Sequence, residues 1–515
     1  MARYIEFANR IVWGAPALVL ILGVGLYLSF RTGFAQLRLF PRACRIFFGK
    51  LKSRKSAGGV SPFQALCTAL AATIGTGNIV GVAGAISLGG PGAVFWMWIS
   101  ALLGMMTKFA EATLAVHFRK KQGGEWVGGP MFMISRGLGK KWRILASMYC
   151  FFGIFAAFGV GNATQINAVI TGVNQVIVSF GGGVSIRRNL GMGLLLAVLI
   201  GAVLLGGAKR IGRTAQVLVP FAACGYLLMC LGVLTLRANI VPAAFGAIFR
   251  GALTPRAVTG GFVGSMFQAL RIGISRGVFT NEAGMGTASI AHAAAQVDMA
   301  AEQGLMGIME VFLDTVVICT MTALVILCSG VPIPYGQDVG AELTAQAFSS
   351  VFGRGASVFL TIALCCFAFA TVLGWGLYGV RCAQFLLGAS CWKWFSLLQI
   401  ATIILSAVLE TGVIWSLAEL LNGLMAIPNL IALVGLSPIL KELTIHYKMH
   451  FGGTSAGGGT YENFNQCKPL PALSHEKVPS LRGGGEAAGQ KDLSSEHRSA
   501  RPAHAPGLLR RGEDL

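Results

Sequence analysis

Long apolar runs, cut by short polar or basic segments, dominate this chain. Residues 12–30, 56–107 and 144–186 carry no charged side chain, and one crossing of roughly 30 Å of hydrocarbon takes about 20 apolar residues. Apolar periods, punctuated by Gly, Pro and charge, predict eleven helical spans. They fall near 12–30, 62–88, 92–116, 146–179, 190–208, 214–236, 259–295, 304–330, 355–388, 394–411 and 414–438. The chain reads as an all-α integral membrane protein of about eleven transmembrane helices. Setting the first span aside leaves ten, and the two spans interrupted by glycine and polar residues, the second and the seventh, open two groups of five with opposite directions through the bilayer. This is the outline of an inverted five-plus-five repeat bundle with two broken helices and one extra N-terminal helix. The first repeat covers about 62–236 and the second about 259–438, within a transmembrane domain of residues 1–450.

Composition agrees with that solvent. Of 515 residues 54% are hydrophobic and only 12% charged, more apolar surface than a water-soluble fold can cover. The net charge of +21 would point to nucleic acid in a soluble protein, but here the basic residues sit in loops and the tail and act as a topology signal. Arg31, Arg38, Arg42, Arg45, Lys50, Lys52, Arg54 and Lys55 follow the first span, and Arg119, Lys120, Lys121, Arg136, Lys140, Lys141 and Arg143 follow the third. Lys209, Arg210 and Arg213 agree, 331–353 has no Lys or Arg, and Arg187 and Arg188 dissent. The N-terminus is therefore expected outside and the C-terminus in the cytoplasm of a multi-pass cell-membrane protein. Residues 451–515, rich in Gly, Ser, Pro and charge, read as a disordered basic cytoplasmic tail. Eight of the twelve cysteines fall inside apolar spans without metal-ligand spacing and read as small core residues. The first apolar run is too long for a cleaved signal peptide and lacks a small-residue cleavage site, so it reads as a retained span.

Candidate chemistry follows from the interruptions. In the second span, Gly75 and Gly77 flank Thr76 and precede Asn78, and each glycine weakens a helix by roughly 1 kcal/mol relative to alanine. A break at membrane depth is tolerated where the freed backbone faces protein or a polar cavity. Its unpaired N–H groups and positive dipole end suit a substrate carboxylate, while freed carbonyls suit a cation. The competing reading is close helix packing through small residues. The seventh span repeats the pattern at Gly273–Gly284, with Arg276 and Glu282 at a depth where charge is costly, and the pair of interruptions favours a transport site. Gly273-Ile-Ser275-Arg-Gly277 matches a nucleophile-elbow motif, but that motif needs a preceding strand and an apolar helical span precedes it here. Gln165, with Asn162 and Asn167 nearby, offers hydrogen bonds to a substrate or to a neighbouring helix. Glu310 and Asp314 share a helix face and are expected to pair with Arg271 or Arg276 before serving as a cation route. Thr371 supplies a hydroxyl and Trp375, one turn on, an apolar wall. His117 and His292 are lone histidines, and no metal is expected there.

At these stretches the chain resembles the alanine or glycine:cation symporter family. Residues 63–115 (FQALCTALAATIGTGNIVGVAGAISLGGPGAVFWMWISALLGMMTKFAEATLA) and 276–295 (RGVFTNEAGMGTASIAHAAA) are similar to its signatures, and GGPMFMISRGLGKKW, EVFLDTVVICTMTAL and FATVLGW extend the resemblance over roughly 12–450. The resemblance implies the inverted-repeat bundle of sodium-coupled amino-acid transporters, with eleven helices, moving alanine or glycine with Na+ or, in some members, H+. It implies a substrate site at Gly75, Thr76, Gly77 and Asn78, completed by Gln165, Phe279 and Trp375, and a Na+ site from the carbonyls of Ala71 and Ile74 with the Thr371 hydroxyl. Three departures bear on it: Ala370 stands where the family usually has Ser, Val380 where it has an acid, and Ser289 where it has Pro. Losing an oxygen beside Thr371 leaves Na+ against H+ open. The expected function is Na+-coupled uptake of small neutral amino acids by alternating access, without a cofactor or an enzymatic step. H+ coupling, or a non-transporting amino-acid sensor on the same bundle, is the alternative.

Overall fold

Helix formation follows from the solvent. Hydrocarbon offers no partner for backbone N–H and C=O groups, and a helix pairs them within its own segment. The computed structural model describes residues 2–52, 59–253, 256–259, 262–337, 339–353, 355–409 and 412–452. Beyond the helix Ser437–Gly452, the expected tail lies outside the described residues. Helices fill each apolar stretch, and among the described residues seven continuous ones are long and apolar enough to cross a membrane. Pro62–Thr73 and Gly77–Gly89 together make an eighth span, bent by 54° at the break. Ser61 starts it with a reciprocal cap: its hydroxyl accepts from the Gln64 N–H at 3.1 Å, and the Gln64 side chain accepts from the Ser61 N–H at 3.0 Å. Such a cap contributes about 0.5–2 kcal/mol.

Some expected boundaries move. The seventh span was expected from about 259, but Arg256–Thr259 and Phe262–Ser265 pair as a short antiparallel ribbon and the helix starts at Met266. Segments outside the spans also fold: Ala2–Val12, Phe40–Lys52, Val241–Leu253 and Ala341–Phe352 are helical, and Lys120–Gln122 pairs with Glu125–Val127.

Gly92–His117 is the central strut, packing against Ala15–Thr32, Val241–Leu253, Met266–Asn281 and Ala300–Val311. Small residues allow the close approach. A Cβ at Gly273 would lie 2.2 Å from the Ala93 carbonyl oxygen, and one at Gly277 would lie 2.1 Å from Ser100 Oγ. These two glycines of the seventh span are therefore packing contacts, and the helical break lies further on, at Glu282–Gly286. On the rim, Val198, Val217 and Phe221 turn outward, each about 70% exposed, as expected where lipid is the surrounding phase.

Candidate functional site

At the first break the chain leaves helical geometry at Ile74 (φ −75°, ψ 105°), whose N–H still donates to the Leu70 carbonyl at 2.8 Å. It resumes as a π-helical turn, Gly77–Gly81, before Val82–Gly89. The Gly75 N–H donates to Asn78 Oδ1 at 2.9 Å, and Asn78 Nδ2 donates to Asp314 Oδ1 at 2.7 Å and to the Asp314 carbonyl at 3.2 Å. Asp314 Oδ2 also accepts from the Thr315 hydroxyl at 2.7 Å. π-Helical turns recur at Ala157–Ala163, next to Gln165, and at Phe312–Cys319, which carries Asp314. Such turns are frequent at functional sites.

The second break is tied differently. Glu282 takes a left-handed φ of +52°, a conformation that costs a non-glycine residue about 1–3 kcal/mol and persists only when its surroundings hold it. Gly284 and Gly286, at φ +99° and +78°, accept the same region freely. Glu111 Oε1 accepts from the N–H groups of Gly284 and Gly286 at 2.9 and 3.1 Å and from Asn429 Nδ2 at 2.7 Å. Asn429 also donates to the Gly284 carbonyl at 2.9 Å, and the Thr287 hydroxyl donates to Glu282 Oε2 at 2.6 Å.

Both breaks meet at one cavity of about 40 Å³, measured at water centres. One water needs roughly 10–15 Å³ on that measure, so the space suits a few waters or a small zwitterion. Gly75, Thr76, Gly77, Gln165, Phe279, Thr371 and Trp375 all line it. Asn78 is not in the lining: its amide is turned to Asp314. Ala71 and Ile74 also lie behind the wall, although the Thr371 hydroxyl donates to the Ala71 carbonyl at 2.9 Å and reaches the Phe367 carbonyl at 3.0 Å. Glu282, Glu419 and Asn422 join the lining. Gln165 Oε1 and Asn422 Oδ1 are buried acceptors with no hydrogen-bond partner among the described residues.

Glu310 does not pair with Arg271 or Arg276, as expected from the sequence; those arginines line a separate vestibule. Its partner is Lys108, whose Nζ donates to Glu310 Oε1 at 2.9 Å, and His292 Nε2 donates to Glu310 Oε2 at 2.9 Å. Gln303 donates to His292 Nδ1 at 2.7 Å, so His292 is not alone. Lys108, Glu310 and His292 are each no more than 1% exposed, so the protein supplies all their solvation. Sequence reasoning passed over Lys108, Glu111, Asn422 and Asn429. Lys108 and Glu111 did carry a signal, being two charges one helical turn apart in an apolar span. Ser275 of the elbow-like motif sits within the helix Met266–Asn281.

Two broken helices in a membrane bundle, with their breaks facing one small polar-lined cavity, define a multi-pass transport protein. The chain belongs to the sodium:alanine symporter family, whose model matches residues 1–455. It is 43% identical over 445 residues to the sodium/alanine symporter AgcS of Methanococcus maripaludis, covering 85% of this chain and 96% of that one. It is 36% identical over 452 residues to the probable sodium/glutamine symporter GlnT of Bacillus subtilis, covering 86% and 91%. Among solved structures it is similar to MhsT in complex with L-phenylalanine, with a TM-score of 0.51 at 14% identity, covering 77% of this chain and 98% of that one. That likeness concerns the fold alone.

Proposed function

We propose that this protein is a secondary active symporter coupling Na+ influx to uptake of small neutral amino acids, alanine and glycine, by alternating access. The observation that carries the reading is the cavity at the first break, small enough to select against bulk and lined by groups of both polarities. A substrate carboxylate would sit against the backbone N–H groups of Thr76 and Gly77 at the start of the resumed helix. Its ammonium would face Gln165 Oε1, Asn422 Oδ1 and the Glu282 carboxylate. Phe279 and Trp375 would bound the side chain. Asn78 would act from behind, holding the shape of the break through Gly75 and Asp314.

Na+ would take the carbonyls of Ala71 and Ile74 and the Thr371 hydroxyl, an all-oxygen shell suited to a hard cation. The short Thr371–Ala71 approach supports that assignment. The basic loops favour a cell-membrane orientation with the N-terminus outside and the C-terminus in the cytoplasm. Proteoliposomes with an imposed inward Na+ gradient test the reading. Labelled alanine and glycine should accumulate and should be displaced poorly by leucine, lysine, glutamate and glutamine. Accumulation driven by a pH gradient and indifferent to Na+ would transfer the coupling to H+; binding without accumulation would make the protein a sensor.

A further inference from the structure

Beside the small cavity lies a vestibule of about 520 Å³, lined in part by Asn9, Trp13, Arg271 and Arg276. Phe279 and Glu419 line both spaces, and the Phe279 ring is the apolar part of the partition between them. Trp13 stands directly behind that partition. Its indole meets the Phe279 ring edge-on, with centroids 5.9 Å apart and planes at 66°. We propose that Trp13, from the N-terminal segment outside the two five-helix repeats, is a specificity-determining residue that buttresses Phe279 and so fixes the size of amino acid the cavity accepts.

The buttress has a built seat. Trp13 Nε1 donates to the Glu419 carbonyl at 3.0 Å, and Asn9 Nδ2 donates to the Ser416 carbonyl at 2.6 Å. Both anchors are to backbone, at the start of the helix whose Asn422 lines the small cavity. One turn further along, Gly423 leaves room for the segment: a Cβ there would lie 2.5 Å from Val12 Cγ1 and 3.0 Å from Trp13 Nε1. With Trp13 seated, the Phe279 ring is blocked from swinging into the vestibule. With it removed, the ring has a second place to go, and the space it vacates adds to the small cavity. An apolar pocket discriminates about 10–200-fold per methylene group, so a modest gain in room is readable as altered selectivity.

This inference rests on the amino-acid reading of the cavity. The test compares wild type, Trp13→Ala, Trp13→Phe and Gly423→Ala in proteoliposomes, measuring labelled alanine uptake and its inhibition by leucine and methionine. Trp13→Ala should still take up alanine, with leucine and methionine competing at about tenfold lower concentration. Trp13→Phe should fall between it and wild type, and Gly423→Ala, which unseats the indole, should shift the same way as Trp13→Ala. A general loss of folding would lower uptake without changing the ratio of competitor to substrate. Wild-type ratios in Trp13→Ala overturn the proposal; if that variant does not insert, wild-type ratios in both Trp13→Phe and Gly423→Ala overturn it. Wild-type uptake in the same vesicles separates the two readings. Its absence sinks the substrate assignment and the buttress with it, whereas its presence with unchanged ratios sinks the buttress alone.

Discussion

At the first break, Ile74–Gly77, one freed N–H is taken by the neighbouring Asn78 side chain and the rest of the segment borders a cavity. At the second, Glu282–Gly286, two freed N–H groups are consumed by one oxygen of Glu111 from another helix, and Asn429 from a third closes the same cluster. Two interruptions in matching positions of two repeats thus do different work. The first borders the cavity with its backbone, and the second, whose Glu282 also lines the cavity, is fixed by carboxylate and amide side chains that reach it through the bundle. The difference teaches that a broken helix at membrane depth needs an acceptor or donor for every freed group, and that the source of those partners decides whether the break binds or anchors.

The largest expected effect breaks the anchor. Glu111→Ala leaves two buried N–H groups and one N–H of the Asn429 amide without their shared acceptor, a loss of about 3–9 kcal/mol at roughly 1–3 per buried unsatisfied group. Thermal unfolding of the purified protein should show it, and a wild-type midpoint would mean that the second break holds without Glu111. The charge pair behind it comes next. Lys108→Met leaves Glu310 with His292 alone, and breaking one side of a buried pair costs about 3–5 kcal/mol. Removing both charges in Lys108→Met/Glu310→Met should restore much of that, because a buried pair is often replaceable by apolar side chains. A double variant less stable than the single one would show that His292 needs the carboxylate more than Glu310 needs the lysine.

The first break should respond in transport and not in folding. A Cβ at Gly75 would lie 3.0 Å from Thr371 Oγ1, whereas one at Gly77 meets Thr280 at an ordinary 3.5 Å. Gly75→Ala should therefore weaken alanine uptake more than Gly77→Ala does. Overpacking of this kind costs about 1–3 kcal/mol, which is read as a roughly 5-fold to 150-fold rise in the alanine half-saturation concentration. Equal effects at the two positions would contradict the tighter packing assigned to Gly75.

Hydropathic period located the helices because the bilayer enforces it residue by residue: the apolar run 92–116 becomes the helix Gly92–His117, and 355–388 becomes Gly355–Leu387. It also located the first break, where Gly75-Thr76-Gly77 interrupts an otherwise apolar run. The second break was drawn too broadly, from Gly273 to Gly284, since Gly273 and Gly277 look the same in sequence as breaking glycines while their task is contact with Ala93 and Ser100, and only the stretch's end at Glu282–Gly284 falls in the break. Lys108 and Glu111 announce by their depth that they need partners, but not which ones. Glu310 is 202 residues from Lys108 in the chain, and only the packing of the strut against Ala300–Val311 brings them together. Asn422 had weaker signals still, one of two amides, with Asn429, in a helix whose other residues are mostly apolar, and the role of Trp13 depends on a contact with Phe279 that no periodicity encodes.

The account turns on ion and substrate meeting at the first break, and the most direct test is labelled alanine uptake into proteoliposomes as a function of Na+ concentration, for wild type and Thr371→Val. Valine keeps the shape and removes the hydroxyl that reaches the Ala71 carbonyl. The Na+ half-saturation should rise about 5-fold to 150-fold, the equivalent of roughly 1–3 kcal/mol for a lost polar partner, while alanine affinity at saturating Na+ returns close to that of wild type through linkage. An unchanged Na+ dependence in a transporting Thr371→Val protein would contradict the assignment and move the coupling site away from Thr371.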